Sequence, residues 1–207
     1  RRVLFRSVWG KDGKSLFFSS SLSGEQQIYK YDFAKQTAEK ITDFALGVSD
    51  AVISPDNNLI AFTASVYPEL GADGKANAEA IKTRSEGPVQ AHIADALLYR
   101  HWTEYADDLY QHIMVYDISR KTYTDVTPGK FVSPVFMPGG GVGFNFSPDS
   151  RELCYVSNHT LHQEANTNCD LWTVPVTGGE ALNITAENEA WDGSPVDSPD
   201  GRYIAYR

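Results

Sequence analysis

Apolar residues alternate with polar ones at four places along the chain, each at a fixed distance from an aspartate. These aspartates are Asp12, Asp56, Asp149 and Asp200, and the last three follow Ser-Pro. Four and six residues after each aspartate stand two apolar residues, which are Leu16 and Phe18, Ile60 and Phe62, Leu153 and Tyr155, and Ile204 and Tyr206. A spacing of two places both members of a pair on one face of a strand. The pattern therefore predicts four β-strands, each preceded by an aspartate turn.

The similarity between these four segments extends to their flanks. A second apolar run follows at 28–32, 113–117 and 171–175, and ten residues after the end of each run stands Thr42, Thr127 or Thr185. Short apolar stretches also precede three of the turns, at 50–54, 143–147 and 194–198. Each repeat is thus predicted to hold four strands, with Pro-Asp-Gly or Pro-Asp-Asn at the turn between the first two.

Four-stranded repeats in tandem are the blades of a β-propeller. Successive aspartates are 44, 93 and 51 residues apart, against about 40–45 residues for one propeller repeat. The long middle step indicates an insertion at 66–111. We predict an all-β fold, a partial β-propeller of four-stranded antiparallel blades, with about three blades plus part of a fourth and the insertion in the second blade. The expected blades are about 8–43, 48–128, 142–186 and 194–207.

The first seven residues, RRVLFRS, match one reading frame of a common sequencing-library adaptor. We interpret residues 1–7 as a cloning or read-assembly scar and assign 8–207 to the propeller. Because the strand pattern is interrupted at the last residue, we also expect the chain to be a fragment of a longer protein.

Composition agrees with this fold and excludes some partners. Eleven Tyr, ten Phe, sixteen Gly and ten Pro favour short strands joined by turns. Lys and Arg total 18 against 27 Asp and Glu, for a net charge of −9. An acidic chain repels a phosphate backbone, so no nucleic acid is expected. No apolar run has the length of a membrane span.

Residues with reactive or metal-binding side chains are few. Cys154 and Cys169 flank a predicted hairpin and are compatible with one disulfide or with two buried thiols. His159, His162 and Glu164 lie in a polar loop, which favours a solvated loop over a metal site. The chain contains neither Gly-x-Ser-x-Gly nor His-Glu-x-x-His, so we expect no catalytic residue in this chain, and no cofactor.

The insertion contains two kinds of sequence. Residues 66–88 are rich in Gly, Ala and charge and are predicted to form a surface loop with one short helix. For the following segment, a helix would put Leu98, Trp102, Tyr105 and Leu109 on one face. Its aromatic content and the Ala-Asp-Asp break favour instead a hairpin of about 97–105 against 109–118.

Several stretches resemble the propeller of the prolyl oligopeptidase family of serine peptidases, in the branch of bacterial dipeptidyl-peptidase V and acylaminoacyl peptidases. They are LLYRHWTEY (97–105), GGGVGFNFSPDSRELCYVSN (139–158), TNCDLWTVPVTGGEALNIT (167–185) and DGSPVDSPDGRYIAYR (192–207). The resemblance implies a propeller that restricts access to a C-terminal α/β-hydrolase domain and helps to shape its substrate cavity. That domain carries a Ser-Asp-His triad, outside this chain, and acts on short peptides. A homodimer and a periplasmic or secreted location, or a cytoplasmic one as in acylaminoacyl relatives, are also implied.

Relatives that remove dipeptides often bind the free amine of the substrate with carboxylates of a propeller insertion. The resemblance therefore points to Glu104, Trp102, Tyr105 and Asp107 as substrate-binding residues, with Asp108 beside them. The paired-Glu motif of dipeptidyl-peptidase IV is absent, so a solvated hairpin edge is the alternative. A TolB-like binding propeller without enzymatic activity is the alternative function, and a structural propeller of a surface protein is the third.

Overall fold

The computed structural model describes residues 5–95, 97, 99–101, 103–136 and 141–207. In these residues, three four-stranded antiparallel sheets follow one another along the chain, together with two two-stranded ones. The first sheet contains β1 (Phe5–Trp9), β2 (Ser15–Ser20), β3 (Gln27–Asp32) and β4 (Thr37–Lys40), in that order. It includes Phe5–Ser7, which sequence reasoning left out as a scar, and Phe5 pairs with Ser19.

The second sheet is interrupted by the insertion. Its elements are β5 (Ser49–Ile53), β6 (Leu59–Val66), the helix α1 (Gly74–Glu86), the hairpin β7 (Arg100–His101) and β8 (Glu104–Tyr105), then β9 (Tyr110–Asp117) and β10 (Thr122–Asp125). The strand order is β5-β6-β9-β10, so α1 and β7–β8 lie between the two central strands of one blade. The predicted helix within 66–88 is present.

The third sheet has the order β11-β12-β13-β14, and a two-stranded sheet follows it. These strands are β11 (Phe144–Phe146), β12 (Glu152–Ser157), β13 (Asp170–Pro175), β14 (Leu182–Asn183), β15 (Val196–Asp197) and β16 (Ile204–Ala205), with a 3₁₀ turn at Gln163–Ala165. Three complete antiparallel sheets, the beginning of a fourth and an insertion in the second confirm the predicted fold class.

The blades pack face to face, and each central strand is buried on both sides. Along β6, Ile60, Phe62 and Val66 belong to a core shared with the first blade, whereas Ala61 belongs to a core shared with the third. This division follows from the period of two, which sends successive side chains to opposite faces. Phe62 is fully buried, and such burial contributes about 1.5–3 kcal/mol per side chain.

The aspartate turns are structural. Asp149 Oδ1 accepts hydrogen bonds from Ser147 Oγ at 2.7 Å and Arg151 N at 3.1 Å. Asp56 and Asp200 are bonded by Ser54 and Ser198 in the same way. The Ser147 and Arg151 hydrogen bonds lower the pKa of Asp149, because they favour the ionised carboxyl group.

A threonine closes each blade at its third strand. Thr42, Thr127 and Thr185 accept the backbone N–H of Ile28, Ile113 and Leu171 at 2.9, 2.8 and 3.0 Å. The connection to the next blade then returns to the residue two positions before the threonine-capped one: the N–H groups of residues 48, 133 and 192 donate to the carbonyls of 26, 111 and 169, each at 2.8 Å. The threonine repeat seen in the sequence is thus a backbone capping device.

Two sequence expectations need correction or completion. The hairpin of 97–105 against 109–118 is wrong, because β9 pairs with β6 and β10, and β7 pairs with β8. A strand of eight residues buried in the sheet between two neighbours forms more backbone hydrogen bonds than an exposed hairpin.

Cys154 and Cys169, for which the sequence left a disulfide or two thiols open, are free buried thiols. Cys154 faces Thr173, whereas Cys169 directly precedes the Asp170–Ser157 pair, an offset of about four residues or ~13 Å that no disulfide spans.

Candidate functional site

A buried asparagine in α1 fixes the first part of the insertion to the blade. Asn77 is fully buried; its Oδ1 accepts from Tyr67 N at 2.8 Å, and its Nδ2 donates to Gly71 O at 3.1 Å and Asp73 O at 2.9 Å. Because both ends of the amide are engaged, the start of α1 is fixed to the end of β6. Asp73 also caps the helix by accepting from Ala76 N at 2.9 Å.

The insertion lies at one end of the second blade. In an up-and-down blade, the connection between the second and third strands is at the same end as the connection to the next blade, and the aspartate turns are at the opposite end. A cavity of about 850 Å³ opens here, lined by most of 83–95, by Leu97 and Tyr99 and by 105–110 of the insertion, together with Lys130 and Val132 of the connection and Gln163 of the third blade. This volume lies within the range of small-molecule sites.

Asp107 is the central charged group of this cavity. Its Oδ1 accepts from Arg84 Nη2 at 2.8 Å and lies 2.8 Å from His92 Nδ1, while Arg84 Nη1 lies 3.9 Å from Asp108 Oδ2. Asp107 and Asp108 have φ values of 49° and 63°, in the left-handed region that non-glycine residues seldom adopt. Such conformations concentrate at functional sites, and here they direct two carboxylates toward the end of α1.

An aromatic stack forms the adjacent wall. The ring of His92 lies 3.7 Å from the ring of Tyr105 at an interplanar angle of 5°, and Tyr99 lies 6.3 Å from Tyr105. His92 therefore contacts both Asp107 through its Nδ1 and Tyr105 through its ring face. These contacts hold the segment that follows α1 against the β7–β8 hairpin.

The structure brings two of the four sequence-predicted site residues together. Tyr105 and Asp107 line the cavity. Glu104 lies in β8 opposite His101, and Trp102 lies outside the described residues. Asp108 also lines the cavity, and its side chain is 79% exposed.

Sequence reasoning missed Arg84 and His92. They lie 23 and 15 residues before Asp107, and no local motif joins residues at such distances. Their positive or polar groups engage Asp107, whereas the Asp108 carboxylate remains largely exposed. The cavity thus offers exposed apolar walls, such as Val89 and Ile93, together with charges of both signs.

The histidines of the loop between β12 and β13 do not meet. His159 is stacked between Phe131 and Trp172, with 4.0 Å between ring centroids on each side. Burial lowers the pKa of His159 to about 4. His162 Nδ1 lies instead 3.2 Å from Glu164 Oε1. Within the described ranges, no group of three or more His, Cys, Asp or Glu side chains has the arrangement of a metal site.

In the described part of the chain, no helix has both the length and the apolar content to cross a bilayer. No protein-family model matches the sequence.

A curated relative covers nearly the whole chain. Dipeptidyl-peptidase 5 of Porphyromonas endodontalis is 23% identical over 205 residues, which are 96% of this chain and 28% of the relative. The chain therefore spans less than a third of the length of the curated relatives that it matches in full.

Solved structures show the same fold. Acylaminoacyl peptidase of Pyrococcus horikoshii superposes on 98% of this chain and 28% of its own, with a TM-score of 0.62 and 13% identity. TolB of Acinetobacter baumannii covers 99% of this chain and 37% of its own, with a TM-score of 0.54 and 17% identity. The chain is therefore a β-propeller segment whose sequence is similar to part of dipeptidyl-peptidase 5.

Proposed function

We propose that this chain is the propeller part of a serine exopeptidase or oligopeptidase of the dipeptidyl-peptidase or acylaminoacyl-peptidase type. In the whole protein, the propeller restricts access to the active site and helps to shape the substrate cavity. The serine, aspartate and histidine that cleave the peptide bond belong to a C-terminal α/β-hydrolase domain outside this chain. A periplasmic or secreted location and a homodimeric full-length protein belong to the same proposal.

The observation that carries the proposal is the similarity to dipeptidyl-peptidase 5 over 96% of the chain. That length includes the insertion, which a simple array of aspartate-turn repeats lacks. The likeness to TolB concerns the fold, and a non-enzymatic binding propeller remains the competing function against which the test is designed.

The cavity supports a role in recognising the substrate. It is of a size to hold a short peptide, and its rim carries carboxylates able to pair with a free ammonium group. We propose that Glu104 supplies the principal carboxylate, with Tyr105 and Trp102 as further substrate-binding residues. Asp107, which Arg84 and His92 already engage, contributes by holding the surrounding chain in place.

The test of the activity uses the full-length protein that contains this chain. We expect it to release dipeptides from chromogenic dipeptidyl substrates and to be labelled by a fluorophosphonate, which reacts with an activated serine. Hydrolysis of N-acylated amino-acid substrates instead would assign it to the acylaminoacyl type. If neither hydrolysis nor labelling occurs, the enzyme proposal is wrong and the protein is a binding propeller.

The amine site is tested separately. Glu104→Gln should lower kcat/KM for a dipeptidyl substrate with a free amine by about 100-fold, since a charge-assisted contact is worth on the order of 3 kcal/mol. The same substitution should leave an N-acetylated substrate unaffected. Exposed Glu187→Gln is the matched control. An equal loss for both substrates would show that Glu104 has a structural role.

A further inference from the structure

In all three complete blades, the residue that directly precedes the threonine-capped residue of the third strand is buried and polar: Gln27, His112 and Asp170. In the first blade, Gln27 Oε1 accepts from Thr42 Oγ at 2.8 Å and Phe44 N at 3.1 Å, and its Nε2 donates to Phe44 O at 2.7 Å. Chain atoms satisfy this amide at both ends.

The second blade satisfies the same position with a histidine. His112 is fully buried; its Nδ1 lies 2.8 Å from Asp125 Oδ2 and its Nε2 lies 2.8 Å from Gly129 O. Gly129, like Phe44, stands two residues after the capping threonine. Gln27 and His112 therefore both place a side-chain nitrogen against the carbonyl oxygen two residues after the capping threonine.

The third blade breaks the pattern, because an ionised aspartate has no hydrogen to donate. Asp170 Oδ2 accepts from Asn183 Nδ2 at 2.8 Å, but Oδ1 is buried and has no partner among the described residues. Asp170 as a whole is only 7% exposed.

A second carboxylate lies beside it. Asp192 is equivalent to Val48 and Ser133 in the other two connections between blades. The backbone N–H of each of these residues donates to the carbonyl two positions before the threonine-capped residue. Asp192 is 1% exposed; its Oδ1 accepts from Asn188 Nδ2 at 2.6 Å, and its Oδ2 is buried without a partner among the described residues. The two aspartates thus share one arrangement, with an asparagine on one oxygen and the other oxygen unpaired.

The two carboxylates lie in adjacent segments, because Asp192 N donates to the carbonyl of Cys169, the residue before Asp170, at 2.8 Å. Burial, and then the negative charge of Asp192, raise the pKa of Asp170. An unpaired charge in such a place costs several kcal/mol unless a positive charge compensates for it. Among the described residues, the charged neighbour that acts on Asp170 has the same sign and does not compensate for its charge.

We propose that Asp170 Oδ1 and Asp192 Oδ2 bind a calcium ion, which engages these two oxygens where chain atoms engage the equivalent polar side chain in the first two blades. Calcium takes six to eight oxygen ligands in flexible geometry, so amide or backbone oxygens and water complete its coordination. Two carboxylates give a low charge count, and we expect a dissociation constant on the order of 10⁻⁴–10⁻³ M.

Calorimetric titration of the chelator-treated protein with calcium chloride tests the proposal, with thermal unfolding as a second readout. Calcium should bind with the stated affinity and raise Tm. Asp170→Asn and Asp192→Asn should each weaken binding by about tenfold or more. Asp197→Asn is the matched control, because Asp197 is a partly buried carboxylate bonded to the side chain of Asn145.

Terbium, which takes the same oxygen ligands as calcium, covers the case in which these variants do not fold. Bound beside Asp192, it should be sensitised by Trp191, lose its emission in Trp191→Phe and be displaced by calcium. No binding of calcium up to about 10 mM, or equal binding by wild type and Asp170→Asn, would overturn the proposal. A Tm that rises from pH 7 to 5 in wild type but not in Asp170→Asn, without a response to calcium, would overturn it in favour of a shared proton.

Discussion

Arg84 and Asp107 form an ion pair across 23 residues of sequence, with 2.8 Å between Nη2 and Oδ1. The pair joins the last turn of α1 to the segment that precedes β9. The ion pair thereby connects the two ends of the segment between α1 and β9. This segment, which includes the β7–β8 hairpin, borders the cavity.

Replacing Arg84 with methionine should loosen this segment with little effect on the blades. The side chains of Arg84 and Asp107 are 37% and 23% exposed, and such partly exposed pairs contribute about 1 kcal/mol or less. We therefore expect a small fall in Tm but clearly faster proteolysis within 87–99. Arg120→Met, which removes the exposed pair with Asp117, is the control. Equal protection of the segment in both variants would contradict a closing role for Arg84.

Gly74→Ala should destabilise the protein by about 1–3 kcal/mol, because an added Cβ would lie 2.9 Å from Phe44 Cε2. Chemical denaturation measures the loss. The cost should shrink in a Phe44→Leu background, since the smaller side chain leaves room for the methyl group. A cost that is the same in both backgrounds would place the strain elsewhere.

Thr127→Val should cost about 1–3 kcal/mol, because it leaves the buried Ile113 N–H without its acceptor. Thr127→Ser keeps the hydroxyl group and should recover most of the stability. The exposed Thr122, in the neighbouring strand, provides the matched Thr→Val control. If Thr127→Val and Thr122→Val unfold at the same denaturant concentration, the capping role is wrong.

Stability should depend on the protonation of His159. Burial lowers its pKa from 6.5 to about 4, so the folded state favours the neutral ring. The contribution of the neutral His159 ring to the free energy of unfolding is complete above pH 6.5 and is lost as the pH falls through about 4. After allowance for partial exposure it amounts to on the order of 1 kcal/mol.

The variant His159→Phe isolates this contribution, because phenylalanine keeps a ring between Phe131 and Trp172 without a titrating group. The difference in Tm between wild type and variant should therefore change between pH 6.5 and 4. The turn aspartates, whose pKa values are lowered, titrate in both proteins, so their effects cancel in the difference in Tm. A constant difference over this range would refute the assignment.

Both cysteines should resist modification in the folded protein. Burial raises the pKa of Cys154 to about 12 and also raises that of Cys169, so little thiolate forms at neutral pH. Intact mass should show two free thiols, reactive with iodoacetamide in denaturant and nearly unreactive without it. A mass lower by two hydrogens would reveal a disulfide and contradict the strand register.

The candidate site shows where sequence reasoning reached its limit. Tyr105 and Asp107 could be proposed from the sequence because they lie within a few residues of one another, in or directly after a stretch that resembles known relatives. Arg84 and His92 were missed because their contact with Asp107 depends on how α1 and the following segment fold back. The error over the 97–118 hairpin has the same origin: the sequence showed strand propensity at β9 but not that β6 would be its partner.

The sequence alone determined the repeat, because alternation and turn chemistry are local and recur in each blade. Asp56, Asp149 and Asp200 form their turns with neighbouring residues, and Leu153 and Tyr155 share a strand face whatever surrounds them. Tertiary structure decided what lies between blades and within the insertion. The burial of Asp170 beside Asp192, and the closure of the cavity by Arg84, depend on contacts between segments far apart in the chain, whose free energy exists only once those segments are packed together.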